Sequence, residues 1–489
     1  MTVLIVGAGP AGIVAAKTAI ECGLKPTVLE KNDRIGGLWR SDTGYVWNSM
    51  RTNISYSSCM FSDAPWKNPS GNFPKQIEVC NYLKNYAQHN NILKHIRFNA
   101  DVGKLFRFNK KWHTEWYENG AICQKEFDYG IVCSGIFSKP HIPTIPGLNT
   151  FAGRISHSKD YKDPETFKNK KVVVVGNAFS GTEIAAEVST QAEQTVHCAN
   201  RAMWILPRHL PVRGTQQPWD LIFYRRSIVE ESKKYSFKEK NEKTYLRLQG
   251  ITKQNQSVAE LAVTSDPTDP SYVTISDTYI NQVKDAKIKV KYSKIHKISE
   301  RTLIFEDNTE TSADELIFAT GYEASLPFFG SDILEKLEFD SNNRFQPLLL
   351  DRCTFNPHLP NMAFVGMYRG PYFPIMELQA RLACYVFSKK IEAVTQLQME
   401  KGMELERRIR MQIPRPQFPH GNYVEFADML AEAAGVLPDF KAIQVSDPKL
   451  YEKIWEGPLN ASHYRLNGYA SKPEMARNLI NQLHTKSKS

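Results

Sequence analysis

A short strand, a glycine-rich turn and a helix occur twice in this chain, and that duplication constrains the fold more than any other feature. The first copy is TVLIVGAGPAGIVAAKTAIECGLKPTVLE, Thr2–Glu30. Val3–Val6 is a short, continuous apolar run, as a strand buried on both faces requires. Ala11–Glu21 carries helix formers at helical spacing, and Pro26 leads into a second strand, Thr27–Glu30. The second copy is KKVVVVGNAFSGTEIAAEVSTQAEQTVHCANR, Lys170–Arg201. Each copy is closed by a later apolar run that meets a small residue and a glycine: FDYGIVCSG at Phe127–Gly135 and ELIFATGY at Glu315–Tyr322. Two such βαβ units predict an α/β protein with two Rossmann-like dinucleotide-binding domains.

The turns carry the first chemistry. In Gly7-Ala8-Gly9-Pro10-Ala11-Gly12, Gly7 permits the tight turn and Gly9 lets backbone approach a pyrophosphate. Gly12 lets helix and strand pack closely, and the helix start offers N–H groups and a positive dipole end to phosphates. Glu30 ends the next strand, 18 residues past Gly12, where a carboxylate can hold ribose hydroxyls. A functionless glycine loop does not explain that acid. The Gly36-Gly37-Leu38-Trp39 run that follows points to FAD rather than NAD.

The second turn is Gly176-Asn177-Ala178-Phe179-Ser180-Gly181, with Ala178 in place of the middle glycine. Arg201, 20 residues past Gly181, stands where an NAD protein has an acid. An arginine there suits a 2′-phosphate, hence NADP, with Arg208 a nearby competitor for the same phosphate and a plain surface arginine the alternative. An FAD-like and an NADP-like site in one chain imply hydride transfer from NADPH to flavin. No CxxC or clustered metal-ligand spacing supplies a second acceptor, which leaves molecular oxygen.

Composition removes other classes. The formal charge is +10, but lysines and arginines are interleaved with acids and no nucleic-acid motif occurs. The basic balance favours anionic ligands instead. The eight cysteines, Cys22, Cys59, Cys80, Cys123, Cys133, Cys198, Cys353 and Cys384, sit mostly in apolar runs and read as reduced thiols of a cytoplasmic protein. A strand beginning at residue 3 leaves no room for a signal peptide. No run of about 18 apolar residues is present, so no transmembrane segment is expected.

Elsewhere the pattern predicts a helix over 76–95, strands over Ile96–Phe108 and Lys111–Tyr117, and a hairpin over Ile288–Asp307 with a turn near Asn308. Arg225–Leu248, dense in Lys and Glu, reads as a solvated helical face. Near the C-terminus Leu479, Ile480 and Leu483 form one apolar stripe. Packing on the protein is its plain reading; peripheral membrane contact is the sharper one.

These residues together resemble the flavin-containing monooxygenase family, class B. The first turn with Glu30, IGGLW, RTNIS at Arg51–Ser55, FSDAPW at Phe61–Trp66, the second turn and FATGY fall in the family order. FAGRISHSKDY matches F-x-G-x-x-x-H-x-x-x-Y through Phe151, Gly153, His157 and Tyr161. PIMELQAR (Pro374–Arg381) and SDPKLYEKIWEGP (Ser446–Pro458) are similar to animal-type members, whose common C-terminal anchor is missing.

The resemblance implies that NADPH reduces FAD, that oxygen adds at the flavin C4a position, and that retained NADP shields the hydroperoxide. A soft nitrogen or sulfur of a small amine or sulfide then takes the distal oxygen. Asn53 matches the family's active-site asparagine, able to hold the hydroperoxide and NADP; helix capping or a turn is the alternative. Relatives that act on ketones often carry histidine there, so Asn53 favours heteroatom oxygenation. Tyr161 is followed by Lys162 rather than proline, which also points away from the Baeyer–Villiger pattern. A Baeyer–Villiger enzyme, or a slow NADPH oxidase or sensor flavoprotein, remains the alternative.

Cofactor-binding positions carried over by the resemblance are Gly7, Ala8, Gly9, Pro10, Ala11, Gly12, Glu30, Lys31, Gly37, Leu38, Trp39, Thr52, Asn53 and Val102 in the first part. The later ones are Gly176, Phe179, Ser180, Gly181, Thr182, Glu183, Asn200, Arg201, Thr320, Gly321 and Gln379. Ala178 and Glu183 depart from the Gly and Asp of many animal members. Phe179 stays open between stacking near nicotinamide or substrate and core packing.

The expected domains are 1–149, the first part of the FAD domain; 150–324, an NADP domain inserted in it with a helical insertion around 205–280; and 325–489, a return to the FAD domain and a C-terminal cover. His157, 19 residues before Gly176, has no metal partners at usable spacing. It reads as a pin between the domains, with Gly153 permitting a bend and Phe151 and Tyr161 packing either side. A homodimer is left open.

Overall fold

The computed structural model describes residues 1–212, 214–370 and 372–488, with side chains through residue 483. Its frame is a pair of five-stranded, all-parallel sheets. In the first, the strands run in the order Met362–Phe364, Tyr129–Val132, Thr2–Val6, Lys25–Leu29, Ile96–Arg97. In the second the order is Ile288–Lys291, Gln194–Cys198, Lys171–Val175, Glu315–Phe318, Arg154–His157. Both sheets have the same plan: a central strand leads through its glycine turn into a helix, Pro10–Glu21 or Phe179–Val188, and returns to the neighbouring strand.

Continuous apolar strands are explained by burial on both faces. Val3 and Ile5 face the helix Pro10–Glu21, which packs on Phe373–Phe387, a helix buried almost all round. Leu4 and Val6 face the opposite way, toward Trp112, Trp116 and Phe127. In the second sheet Val172, Val174 and Ile317 meet Ile184 on one face. Val173, Leu316 and Phe318 meet Leu303 and Phe305 on the other. Each such aliphatic or aromatic side chain removed from water contributes about 1.5–3 kcal/mol.

The differences from the sequence expectations have local causes. The helix over 76–95 ends at His89, where Asn91 takes a left-handed backbone, and a short 3-10 turn follows at Leu93–His95. Ile96–Phe108 is two strands, Ile96–Arg97 and Asp101–Phe108, broken at left-handed Asn99. A third strand, Ala121–Phe127, joins the second of these and Lys111–Glu118 in an antiparallel sheet. Its exposed polar residues hid it. Ile288–Asp307 is not one hairpin. Ile288–Lys291 joins the second parallel sheet, and only Ile295–Ser299 and Thr302–Phe305 pair antiparallel. The basic region is two helices, Arg226–Ser232 and Phe237–Thr252, and it is not wholly solvated: Arg226, Tyr245 and Leu248 are buried.

The C-terminal helix Pro473–Lys488 buries Leu479 and Ile480 against the protein, and Leu483 packs there too. Among the described residues no helix is long and apolar enough to cross a membrane.

Candidate active site

The two glycine turns are near-duplicates in space. Gly7 has φ +100°, and a Cβ on it would stand 2.8 Å from the Cys133 carbonyl oxygen. Gly176 has φ +103° and the same conflict, at 2.6 Å, with the Ala319 carbonyl. A Cβ on Gly12 or Gly181 would fall inside the carbonyl of Gly7 or Gly176. These four positions are therefore fixed by contact with backbone. Ala178 is tolerated because its φ, −73°, equals that of Gly9 and suits any residue.

The fit to two nucleotides can be read from the helix starts. Neither Pro10–Glu21 nor Phe179–Val188 has a side-chain N-cap or an acid in its first turn. Their leading N–H groups are left for an anion. Gly37 closes on the first turn: a Cβ there would lie 3.0 Å from Gly9 Cα, and the neighbouring Gly36 N–H donates to the Ala8 carbonyl. Leu38 and Trp39 continue that 3-10 turn, and Trp39 packs on the first core.

Glu30 is buried and accepts from Ala8 N at 2.7 Å and Asn32 N at 2.9 Å. It thus sets the turn as well as facing it. Lys31 is exposed. Val102 is buried with Leu4, Val6 and Leu29, so its side chain is core. Gln379 is fully buried, and its amide links Gly366 N (2.9 Å), the Cys353 carbonyl (2.7 Å) and Thr354 Oγ1 (3.2 Å). Its reach toward a cofactor goes through Gly366, which lies against Ala11.

Asn53 lies where the segment that carries Arg208 and Trp219 packs on the N-terminal region. Its backbone carbonyl accepts from Trp219 Nε1 at 2.7 Å. Its side-chain Oδ1 lies 3.4 Å from Arg208 Nη2, while Arg208 Nε donates to the Thr52 carbonyl at 3.1 Å. Arg208 is buried and ion-paired to Glu183 (2.8 Å) and Asp277 (2.9 Å). Burial opposes its charge, but those carboxylates outweigh burial and raise its pKa. Arg208 is thereby engaged with the Asn53 loop. Arg201 is exposed and stacks 3.7 Å over Tyr272. Asn200, beside it, is exposed as well.

Sequence reasoning missed the anchor below Asn53. Asp220, fully buried, accepts from Ser55 N (3.0 Å), Ser55 Oγ (2.7 Å) and Ser58 Oγ (2.6 Å) through one oxygen. Its other oxygen has no partner among the described residues. Burial raises its pKa against those hydrogen bonds. Trp219, Tyr224, Tyr372 and Tyr423 form an aromatic group beside it, with a 2.8 Å hydroxyl contact between Tyr224 and Tyr372. The bonds of Asp220 to Ser55 and Ser58 and of Tyr224 to Tyr372 each span more than 140 residues of sequence, so no local pattern signals them.

In the second turn Thr182 Oγ1 donates to the Asn177 carbonyl at 3.1 Å, and Ser180 is half-buried on the helix start. Phe179 belongs to a core cluster and also stacks on Phe418 at 6.5 Å.

Thr320 and Gly321 lie in the linker leaving the second sheet. The Gly321 carbonyl takes His157 Nε2 at 3.0 Å and His141 N at 2.9 Å. Because His157 Nδ1 accepts from Lys159 N, Nε2 carries the proton. Burial lowers the His157 pKa, which keeps the ring neutral. The adjoining Tyr322–Glu323 pairs antiparallel with Lys139–Pro140, so His157 grips the place where both linkers cross. Phe151 and Tyr161 pack on opposite faces of the second sheet. Gly153 makes no left-handed bend. A Cβ there would strike the Asp314 carbonyl at 2.3 Å, so closeness requires the glycine.

A cavity of about 490 Å³ lies elsewhere, lined by Asp63, Trp66, Tyr82, Asn85, Tyr86 and Lys472 among others, and includes none of the predicted site residues. Among the described residues no cluster of His, Cys, Asp and Glu could hold a metal.

The Flavin-binding monooxygenase-like family model matches residues 1–488. Dimethylaniline monooxygenase [N-oxide-forming] 2 of Rattus norvegicus is 31% identical, over 98% of this chain and 90% of its own length. Flavin-containing monooxygenase 2 of Homo sapiens is also 31% identical, with the same coverage. Among solved structures, S-allyl-L-cysteine S-oxygenase from Allium sativum superposes with a TM-score of 0.66 over 98% of each chain, at 20% identity. Two duplicated nucleotide turns, one followed by an acid and one by an arginine, and matches along the whole length lead to one conclusion: the chain belongs to the flavin-binding monooxygenase-like family and is an NADPH-dependent flavin monooxygenase that uses FAD.

Proposed function

We propose that the protein transfers one oxygen atom of O2 to a soft nitrogen or sulfur of a small amine or sulfide. The observation that carries this reading is Asn53, whose side-chain oxygen faces Arg208 while its backbone carbonyl accepts from Trp219 Nε1. Arg208 has only donors, so it turns Asn53 Oδ1 toward itself. The Asn53 NH2 is then directed away and can donate to a developing negative oxygen.

When bound, FAD supplies oxygen activation and NADPH supplies the hydride. The chain supplies placement. Gly7–Gly12 with Glu30 and the Gly36–Trp39 turn would seat the flavin nucleotide; Gly176–Glu183 with Asn200 and Arg201 would seat NADPH. Thr320 and Gly321, held by His157, set the angle between the two. The aromatic group beside Asp220, with Tyr423 buried and Trp219, Tyr224 and Tyr372 half-buried, limits water on the Asn53 side. In this reading 150–324 is the NADP domain inserted between 1–149 and 325–489. The eight free cysteines suit a reducing, cytoplasmic setting.

Substrate class is tested by product identification with N,N-dimethylaniline, a methyl sulfide and cyclohexanone under identical conditions. N-oxide or sulfoxide as the main product supports the proposal. Lactone as the main product overturns it in favour of ketone oxygenation.

A further inference from the structure

Four arginines converge outside the second glycine turn. Arg201 stacks 3.7 Å over Tyr272, whose hydroxyl donates to the Arg415 carbonyl at 2.7 Å. Gln417 pairs twice with the Val273 backbone, at 2.9 and 2.8 Å, which fixes Arg415 beside Tyr272. Arg415 and Arg369 lie over the same ring, Phe345, at 5.2 and 4.2 Å. The neighbouring Arg344 donates to the Thr320 carbonyl.

None of the four pairs with a carboxylate within 4.0 Å among the described residues. Elsewhere in the chain, the buried Arg208, Arg226 and Arg465 each have an acid at 2.8–2.9 Å, and the buried Arg381 donates instead to the Tyr385 hydroxyl and the Tyr464 carbonyl. Burial, and then the positive fields of Arg344, Arg201 and Arg415, bring the Arg369 guanidinium down to about 10 although Tyr272 opposes them. Like charges held together without a counter-ion are costly unless a ligand supplies one. The rings cover the guanidinium faces of Arg201, Arg369 and Arg415; Arg415 Nη2 donates to the Arg410 carbonyl at 2.9 Å, and its other N–H groups remain to donate.

We propose that Arg344, Arg369 and Arg415 join Arg201 in a clamp for one oxyanion, the 2′-phosphate of NADPH. The shared chemistry, a compact oxyanion, also fits a nucleotide pyrophosphate or a substrate carboxylate. The strand-end position of Arg201, central to the group through Tyr272, selects the 2′-phosphate. This inference rests on the cofactor and not on the substrate class proposed above. It assigns nucleotide selectivity to residues far along the chain from the second turn.

The test is calorimetric binding to the oxidised, FAD-loaded enzyme. The probes are NADP+, NAD+, 2′,5′-ADP and 5′-AMP, with wild type, Arg369→Gln and Arg415→Gln. In each variant NADP+ and 2′,5′-ADP are expected to weaken about tenfold, as loss of one charge-assisted hydrogen bond entails. NAD+ and 5′-AMP should stay within about twofold on the same grounds. Equal weakening of NADP+ and NAD+ overturns the proposal and places the pyrophosphate there. Unchanged binding of all four, with a raised KM confined to carboxylated sulfides, overturns it in favour of a substrate site. If Arg369→Gln does not load FAD, the half-buried Arg415 decides alone.

Discussion

Arg208 grips the Asn53 loop at two points, with Nη2 3.4 Å from Asn53 Oδ1 and Nε donating to the Thr52 carbonyl at 3.1 Å. Lysine cannot reproduce this fork. Arg208→Lys should load FAD normally but form product with an efficiency per NADPH lowered about tenfold, because the amide loses its orientation. Product and NADPH assayed together read this out. Unchanged coupling would show that Arg208 merely balances Glu183 and Asp277.

Asn53→Ala removes the donor itself. NADPH should still be consumed, with hydrogen peroxide replacing product and turnover to product falling about a hundredfold, as for a lost oxyanion donor. Peroxide and product assays decide. Full product yield per NADPH would remove Asn53 from the reaction.

His157→Ala frees the Gly321 carbonyl and loosens the crossing linkers. We expect KM for NADPH to rise about tenfold while FAD content stays constant, since the second turn would lose its angle to the first. Loss of FAD before any change in KM would make the histidine a support for the first domain only.

Glu406 gives a pH prediction. Burial, then the Asp351 carboxyl, pushes it from 4.5 up to about 8 against Arg410 and the Gln346 amide. Asp351 is itself raised to about 6 by burial, against the pull of Arg352. A carboxyl whose folded pKa is raised stabilises the fold at low pH and loses that contribution as pH rises. Thermal stability should therefore decline from about pH 4.5 toward 8. Glu406→Gln should flatten the decline; an unchanged slope would contradict the assignment.

Arg465, completely buried, ties Glu377 at 2.9 Å to the acids Glu21 and Asp63 of the N-terminal region. Arg465→Met alone should cost about 3–5 kcal/mol by stranding Glu377. Adding Glu377→Gln should recover part of it. Thermal unfolding followed by flavin release measures both, and a fully additive double variant would contradict the coupling.

What the sequence discloses follows the range of the interaction. The glycine turns, their helices and the flanking strands are legible because Gly7, Gly12, Gly176 and Gly181 answer to backbone contacts a few residues away or in one adjacent strand. The boundary errors at Asn91 and Asn99 arise from left-handed asparagines that periodicity cannot show. The Asn53 loop was visible only through family likeness. Its holders, Arg208, Trp219 and Asp220, lie more than 150 residues away and carry no local motif. In the sequence Arg208 competes with Arg201 for the phosphate, because its acids, Glu183 and Asp277, are brought to it by folding alone.

The most direct test of oxygen transfer is the reaction under ¹⁸O-labelled O2 with a methyl sulfide and NADPH. One labelled oxygen in the sulfoxide, at close to one product per NADPH consumed, is the predicted result. NADPH consumption that yields only labelled hydrogen peroxide and leaves the sulfide unoxidised would contradict it.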